Sequence, residues 1–219
     1  MKSKKFKHYI MTRYNLGLYQ ANPYKVKYKV EWMASRIPLF KAYLKSLEEQ
    51  TYKHFTVILS VDGFTPVENL KEIQDLIDAT NLDVVIHLDE QPDTYVRRFG
   101  HVEKWLITSR LDSDDTYEPE FVETIQRSFQ FVEECLDVEG YKFDGKDYFK
   151  YKGTRVGSPF VSVIERSKGQ IKTANFKQHS QMSRHFFSRF VGKKPLFTQV
   201  IHGANIINSI RGEEKTTRQ

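Results

Sequence analysis

At 219 residues the chain is long enough to bury one substantial core, and its 39% hydrophobic, 14% aromatic and 28% charged residues exclude a disordered or collagen-like chain. The net charge of +6 suits nucleic acid, an anionic membrane or a phosphorylated substrate without choosing among them. A single cysteine, Cys135, excludes an intrachain disulfide and a multi-cysteine zinc site, and no apolar run approaches the roughly 20 residues of a membrane-spanning helix.

The basic start, Lys2, Lys4, Lys5 and Lys7, followed by Lys25, Lys27 and Lys29, reads as solvated surface without an apolar signal-peptide core. Residues 8–11 form a short strand ending in the polar group Thr12, Arg13, Tyr14 and Asn15. Across 32–50, Met33, Ile37, Phe40, Leu44 and Leu47 recur at the spacing of one helical stripe, with Pro38 as a kink or a fresh start. Residues 55–61 are a continuous apolar and β-branched run, the pattern of a strand buried on both faces, stopped by Asp62 and Gly63. Leu70, Ile73, Leu76 and Ile77 return to helical spacing, and 84–88 is a further strand ending at Asp89.

Residues 105–111 give a fourth strand, ending in Asp112, Ser113, Asp114 and Asp115. Pro119 then opens a predicted helix with the stripe Phe121, Ile125, Phe129 and Val132, near whose end Cys135 is a small buried hydrophobe. Strands alternating with helices predict an α/β fold with a doubly wound, mostly parallel sheet. Beyond Gly140 the pattern turns to short aromatic strands, with Asp144 and Gly145 a hairpin turn, a strand at 160–164 and a frayed polar tail from Gly212 to Gln219. One domain over 1–219 is expected, with a first part at about 8–135 and a smaller second part at about 136–211.

In an open α/β sheet the ligand lies beyond the carboxyl ends of the strands, which here carry Thr12, Arg13, Asp62, Asp89 and the 112–115 cluster. Three carboxylates within four residues repel one another in a dry site, and a hard cation such as Mg²⁺ or Mn²⁺ relieves this while holding a diphosphate. The bland alternative is an acidic cap on the next helix. Arg110 matches phosphate oxygens, or pairs with a neighbouring carboxylate. His202 is a candidate metal ligand, or a packed core histidine.

The stretch from Ser46 to Thr51, the run 55–63 and the motif from Arg110 to Asp115, with Pro119 and Phe121, resemble family 2 glycosyltransferases over about 8–135. The start, 8–15, and the later segment 199–205 resemble the putative rhamnosyltransferase family. The resemblance implies a GT-A fold and metal-dependent, inverting transfer of a sugar, rhamnose among the candidates, from a nucleotide-sugar to a glycan or lipid-linked acceptor. It implies that Thr12, Arg13 and Asn15 border the nucleotide and that Asp62 accepts hydrogen bonds from its base or ribose. Asp114 is the first choice of metal ligand, Asp112 contacts metal or ribose, and Asp115 caps the next helix or supports the other two, so that 8–135 is the nucleotide-sugar-binding part and 136–211 the acceptor-side part.

The Glu-Asp pair that often supplies the base in family 2 is not evident after residue 140. Glu165 is the candidate, ahead of Asp144 and Asp147, and His179 and His185, near Arg184 and several phenylalanines, line an acceptor site or belong to ordinary core packing. The expected location is cytoplasmic, with peripheral membrane contact through the N-terminal lysines. Two other readings compete. One is a haloacid-dehalogenase-type phosphatase using Asp112 as nucleophile and Asp114 as acid and base, although that motif normally follows a first strand. The other is a basic nucleic-acid-binding module, for which no motif is present.

Overall fold

The computed structural model describes residues 6–19, 26–151, 157–202 and 214–218, with the side chains of 26–28 left aside. Lys2, Lys4, Lys5, Lys25 and the segment 203–205 therefore lie outside the described residues.

Strand β1 (Lys7–Arg13) leads to helix α1 (Val26–Glu48), which runs without interruption through Pro38. Strands β2 (Thr56–Val61), β3 (Val84–Leu88) and β4 (Trp105–Arg110) follow, separated by helices α2 (Val67–Asp78) and α3 (Pro92–Phe99). β1 pairs in parallel with both β2 and β4, and β2 in parallel with β3. The order 3-2-1-4 thus reverses between β1 and β4, and in open α/β sheets the ligand crevice lies beyond the carboxyl ends at such a reversal.

Alternation along the strands explains the two-sided burial. Ile10, Val57, Leu59 and Ile107 pack into one core with Phe40, Tyr43 and Leu47 of α1, while Tyr9, Met11, Ile58 and Leu106 join Val96 of α3 on the other face. The expected helix stripe of α1 is present with one change. Arg36 is 9% exposed and lies on the buried face between Met33 and Phe40, whereas Ile37 is only half-buried.

After the two-residue strand β5 (Thr116–Tyr117), helix α4 spans only Phe121–Arg127, so the expected continuation to Val132 is wrong. Phe129 leaves the helix to pack on Phe6, Trp105 and Phe131, and Val132 is exposed. Cys135 is accordingly not helical. It is buried in strand β6 (Glu134–Asp137), its thiol pushed up to about 12 by burial first and by Asp137 next, so its structural role stands.

Strands β7 (Tyr141–Phe143) and β8 (Tyr148–Lys150) form the predicted hairpin, and Asp144 accepts the turn N–H groups of Lys146 and Asp147. Strand β9 (Ser162–Arg166) lies antiparallel between β4 and β6, and β10 (Phe187–Phe190) pairs with β6, completing a seven-stranded sheet. The expected boundary near 135 therefore runs through β6, and the later strands β9 and β10 extend the main sheet. A second, five-stranded sheet takes β5, β7, β8, β11 (Phe197–Val200) and β12 (Lys215–Thr216). The described end of the chain is thus paired rather than frayed: β12 bonds to β8, and Arg218 reaches Glu118 at 2.9 Å. No helix among the described residues is long and apolar enough to cross a membrane.

Candidate active site

Two acidic residues face the crevice with different partners. Asp112, just past β4, is gripped by Arg110, whose Nη2 lies 2.9 Å from Oδ2 and 3.1 Å from Oδ1, and Arg13 approaches Oδ1 at 3.9 Å. Asp114 lies beside α1 and the end of β11. Its Oδ2 accepts from Arg36 Nη1 at 2.6 Å and lies 2.9 Å from His202 Nε2, while Nη1 also lies 2.8 Å from that nitrogen. Arg36 further rests over the Trp32 ring at 4.8 Å.

Asp115 assembles this corner rather than capping a helix. Its Oδ1 accepts the N–H of Val200 at 2.6 Å, and β11 also pairs with β5 at Thr116 and Tyr117, so the chain that follows brings His202 Nε2 within 2.9 Å of Asp114 Oδ2. Burial, reinforced by the Asp114 and Asp112 carboxylates, raises the Asp115 carboxyl well above the ordinary range. Tyr117, stacked on Phe121, donates to the Arg110 carbonyl at 2.6 Å and fixes the end of β4.

Three residues expected beside the nucleotide, Thr12, Asn15 and Asp62, are buried and hydrogen-bonded within the protein. Thr12 is wholly buried and bonds to the Tyr43 hydroxyl at 2.7 Å. Asn15 donates to Thr65 Oγ1 and accepts from the Asp62 N–H. Asp62, 0% exposed, accepts from the N–H groups of Tyr19 and Phe64, tying the loop after β1 to the loop after β2. Among the nominated residues, Arg13, Arg110, Asp112, Asp114 and His202 keep exposed side-chain surface at the crevice.

Glu165 is not in this group. It pairs in register with Leu106, toward the amino end of β4, and its two oxygens accept the N–H groups of Lys172 and Thr173 at 2.7 and 2.8 Å. Burial raises its carboxyl above the ordinary value, a shift easily mistaken for catalytic tuning. Asp147 pairs with Lys215, His179 bonds the Gly157 carbonyl, and His185 packs edge-on to Phe176.

Arg36 was missed by motif reading because its partners lie 78 and 166 positions away. The available signal was an arginine on the apolar stripe of a helix, since a charge there requires a buried partner.

The donors at this corner suit a hard cation shared with a ligand. Asp114 Oδ2 and His202 Nε2 lie 2.9 Å apart and both meet Arg36 Nη1, and among the described residues no group of three or more His, Cys, Asp or Glu forms a metal site by itself. One carboxylate completed by phosphate oxygens matches the way Mg²⁺ is usually held, and a neutral imidazole can add a nitrogen ligand. The phosphatase alternative fares worse, because Asp112 would need a free nucleophilic oxygen and Arg110 contacts both.

The fold is shared with solved structures at low identity. Staphylococcus aureus TarS 1–349 in complex with UDP is 13% identical, with a TM-score of 0.55, covering 89% of this chain and 60% of that one. The TarS 1–349 structure solved as such gives 12% identity and the same score and coverage. A further TarS structure gives 12% identity and a TM-score of 0.50, covering 89% of this chain and 37% of that one. The chain therefore spans 60% of the length of the TarS 1–349 chains. No curated protein matches it in sequence. The profile of the family described as "Putative rhamnosyl transferase" matches residues 18–214, including α1, the acidic corner and His202. The α/β chain with its mostly parallel central sheet thus belongs to the putative rhamnosyl transferase family.

Proposed function

We propose that the chain is a metal-dependent glycosyltransferase that moves a sugar, rhamnose by the family description, from a nucleotide-sugar to a hydroxyl of a glycan or lipid-linked acceptor. The observation that carries this reading is the 2.9 Å approach of Asp114 Oδ2 and His202 Nε2 beside Asp112, Arg110 and Arg13, at the strand-order reversal. The UDP held by the structurally similar TarS chain supports a nucleotide-sugar donor.

In this reading Asp114 and His202 would hold Mn²⁺ or Mg²⁺ beside the diphosphate of the donor. The bound ion supplies Lewis-acid stabilisation of the departing diphosphate. Arg110 and Arg13 face the crevice, where guanidinium groups bind phosphate oxygens, and Asp112 holds them in place. The acceptor oxygen bonds to the anomeric carbon as the bond to the diphosphate oxygen breaks, with inversion, and the acceptor proton passes to a base. Buried Thr12, Asn15 and Asp62 keep the flanking loops rigid, limiting reorganisation when the donor enters. A cytoplasmic location at a membrane face, where lipid-linked acceptors lie, fits this chemistry.

The test is a panel of nucleotide-sugars, activated rhamnose included, incubated with purified protein and Mn²⁺ or Mg²⁺ or with chelator. Metal-dependent release of nucleoside diphosphate and stabilisation by one donor are expected. Turnover that persists in chelator would remove the metal from the mechanism, and phosphomonoester hydrolysis in place of sugar transfer would overturn the reading.

A further inference from the structure

We infer that Arg36 is a built-in counter-ion for the divalent-cation corner, which must release Asp114 and His202 before the cation enters. The inference rests on the metal-dependent reading above and adds to it a competition between two cations, with a consequence for the order of binding.

Arg36 Nη1 lies 2.6 Å from Asp114 Oδ2 and 2.8 Å from His202 Nε2, atoms that are themselves 2.9 Å apart. An arginine nitrogen only donates, so a proton on Nε2 lets the ring donate to Asp114 Oδ2, whereas a proton on Nδ1 leaves the bare Nε2 lone pair to accept from Nη1. In the latter tautomer a carboxylate oxygen and an imidazole nitrogen turn lone pairs on one cationic point, which is how both would meet a metal. A divalent ion binds such donors at about 2.0–2.2 Å, so the ion and Nη1 claim the same space. They exclude each other.

The arginine is also firmly seated in this corner. It projects from the interior of a 23-residue helix, its side chain is 10% exposed, and the Trp32 ring covers its guanidinium. Its Nε, though buried, finds no hydrogen-bond partner among the described residues. Buried guanidinium nitrogens normally do find one. The present pose therefore serves the Nη1 contacts at the expense of Nε. Diphosphate oxygens would offer the whole fork a bidentate partner, giving the guanidinium somewhere to go as the cation takes its place.

Cation and nucleotide should consequently bind with positive coupling, each strengthening the other by the same factor. Mn²⁺ binding to the full chain, measured by electron paramagnetic resonance with and without UDP, tests this. The wild type should bind Mn²⁺ at least about tenfold more tightly with UDP, in the ordinary range of coupling. Arg36→Met should bind Mn²⁺ alone at least about tenfold more tightly than wild type, with the UDP effect correspondingly reduced. Circular dichroism checks folding, and Arg36→Gln, neutral but polar, carries the same expectation if the Met variant does not fold. Should a folded variant match wild-type affinity while wild type still binds Mn²⁺ with UDP, the competition is overturned and the metal reading survives. If neither protein binds Mn²⁺ with or without UDP, both fall.

Discussion

Leu106 and Glu165 face each other across β4 and β9, four positions before Arg110, where the acidic corner begins. At about 3.3 Å per residue that offset is roughly 13 Å, too far for Glu165 to take a proton at Asp114. Glu165→Gln separates support from catalysis. The amide replaces one acceptor with a donor facing a backbone N–H, so the fold should lose about 1–3 kcal/mol in urea denaturation. Turnover per folded molecule should be unchanged. A large fall in kcat at normal stability would restore Glu165 as the base.

Asp114 offers a sharper contrast between two substitutions. Asp114→Ala leaves the nearly buried Arg36 without its carboxylate, and losing one partner of such a pair costs about 3–5 kcal/mol. Asp114→Asn keeps an oxygen for Arg36 Nη1 and should be far milder in stability. Both should lower metal-dependent transfer by about a hundredfold or more, as removal of a preorganised transition-state contact does. Equal thermal stability of the Ala and Asn variants would show that Arg36 does not depend on this carboxylate.

The parallel half of the sheet was legible because its strands are apolar on both faces and end in polar groups, from 8–11 through 105–111. The acidic corner was legible because its residues adjoin in sequence. What could not be read was set by distant contacts. Phe129 satisfies the helical period after Ile125, yet Trp105 and Phe6 draw it out of the helix, and Phe131 takes a positive φ of 60°. Asp62 carried the right residue type at a strand end, but the N–H groups that claim it belong to Tyr19 and Phe64. Arg36 and the pairing of β12 with β8 likewise exist only through partners far along the chain.

Gly140 lies against the ring of Phe197. A Cβ there would fall 2.3 Å from two ring atoms, and the ring is wholly buried between Phe160 and Tyr151. Gly140→Ala must therefore displace β11, the strand that carries the chain to His202, and should cost about 1–3 kcal/mol by overpacking. Phe197→Leu makes room, so the double variant should be more stable than the sum of the single losses predicts. Strict additivity in chemical denaturation would mean that the two positions do not press on each other.

Acid sensitivity should reside in His8. The ring is buried, with Nδ1 accepting from Gln126 at 3.1 Å and Nε2–H donating to Ser109 Oγ at 2.8 Å, which itself bonds Ser162 Oγ at 2.6 Å. Burial lowers its pKa from 6.5 to about 3. Between those values the unfolded chain binds a proton that the native protein refuses, so stability falls as pH falls. The slope from this group approaches about 1.4 kcal/mol per pH unit and vanishes above the unfolded value. Urea midpoints for wild type and His8→Gln from pH 7 to pH 4 should diverge in this sense, the variant losing less stability per unit of acidification. Parallel curves would show that His8 accepts a proton in the folded state as easily as in the unfolded one, and that its bonds to Gln126 and Ser109 do not hold it neutral.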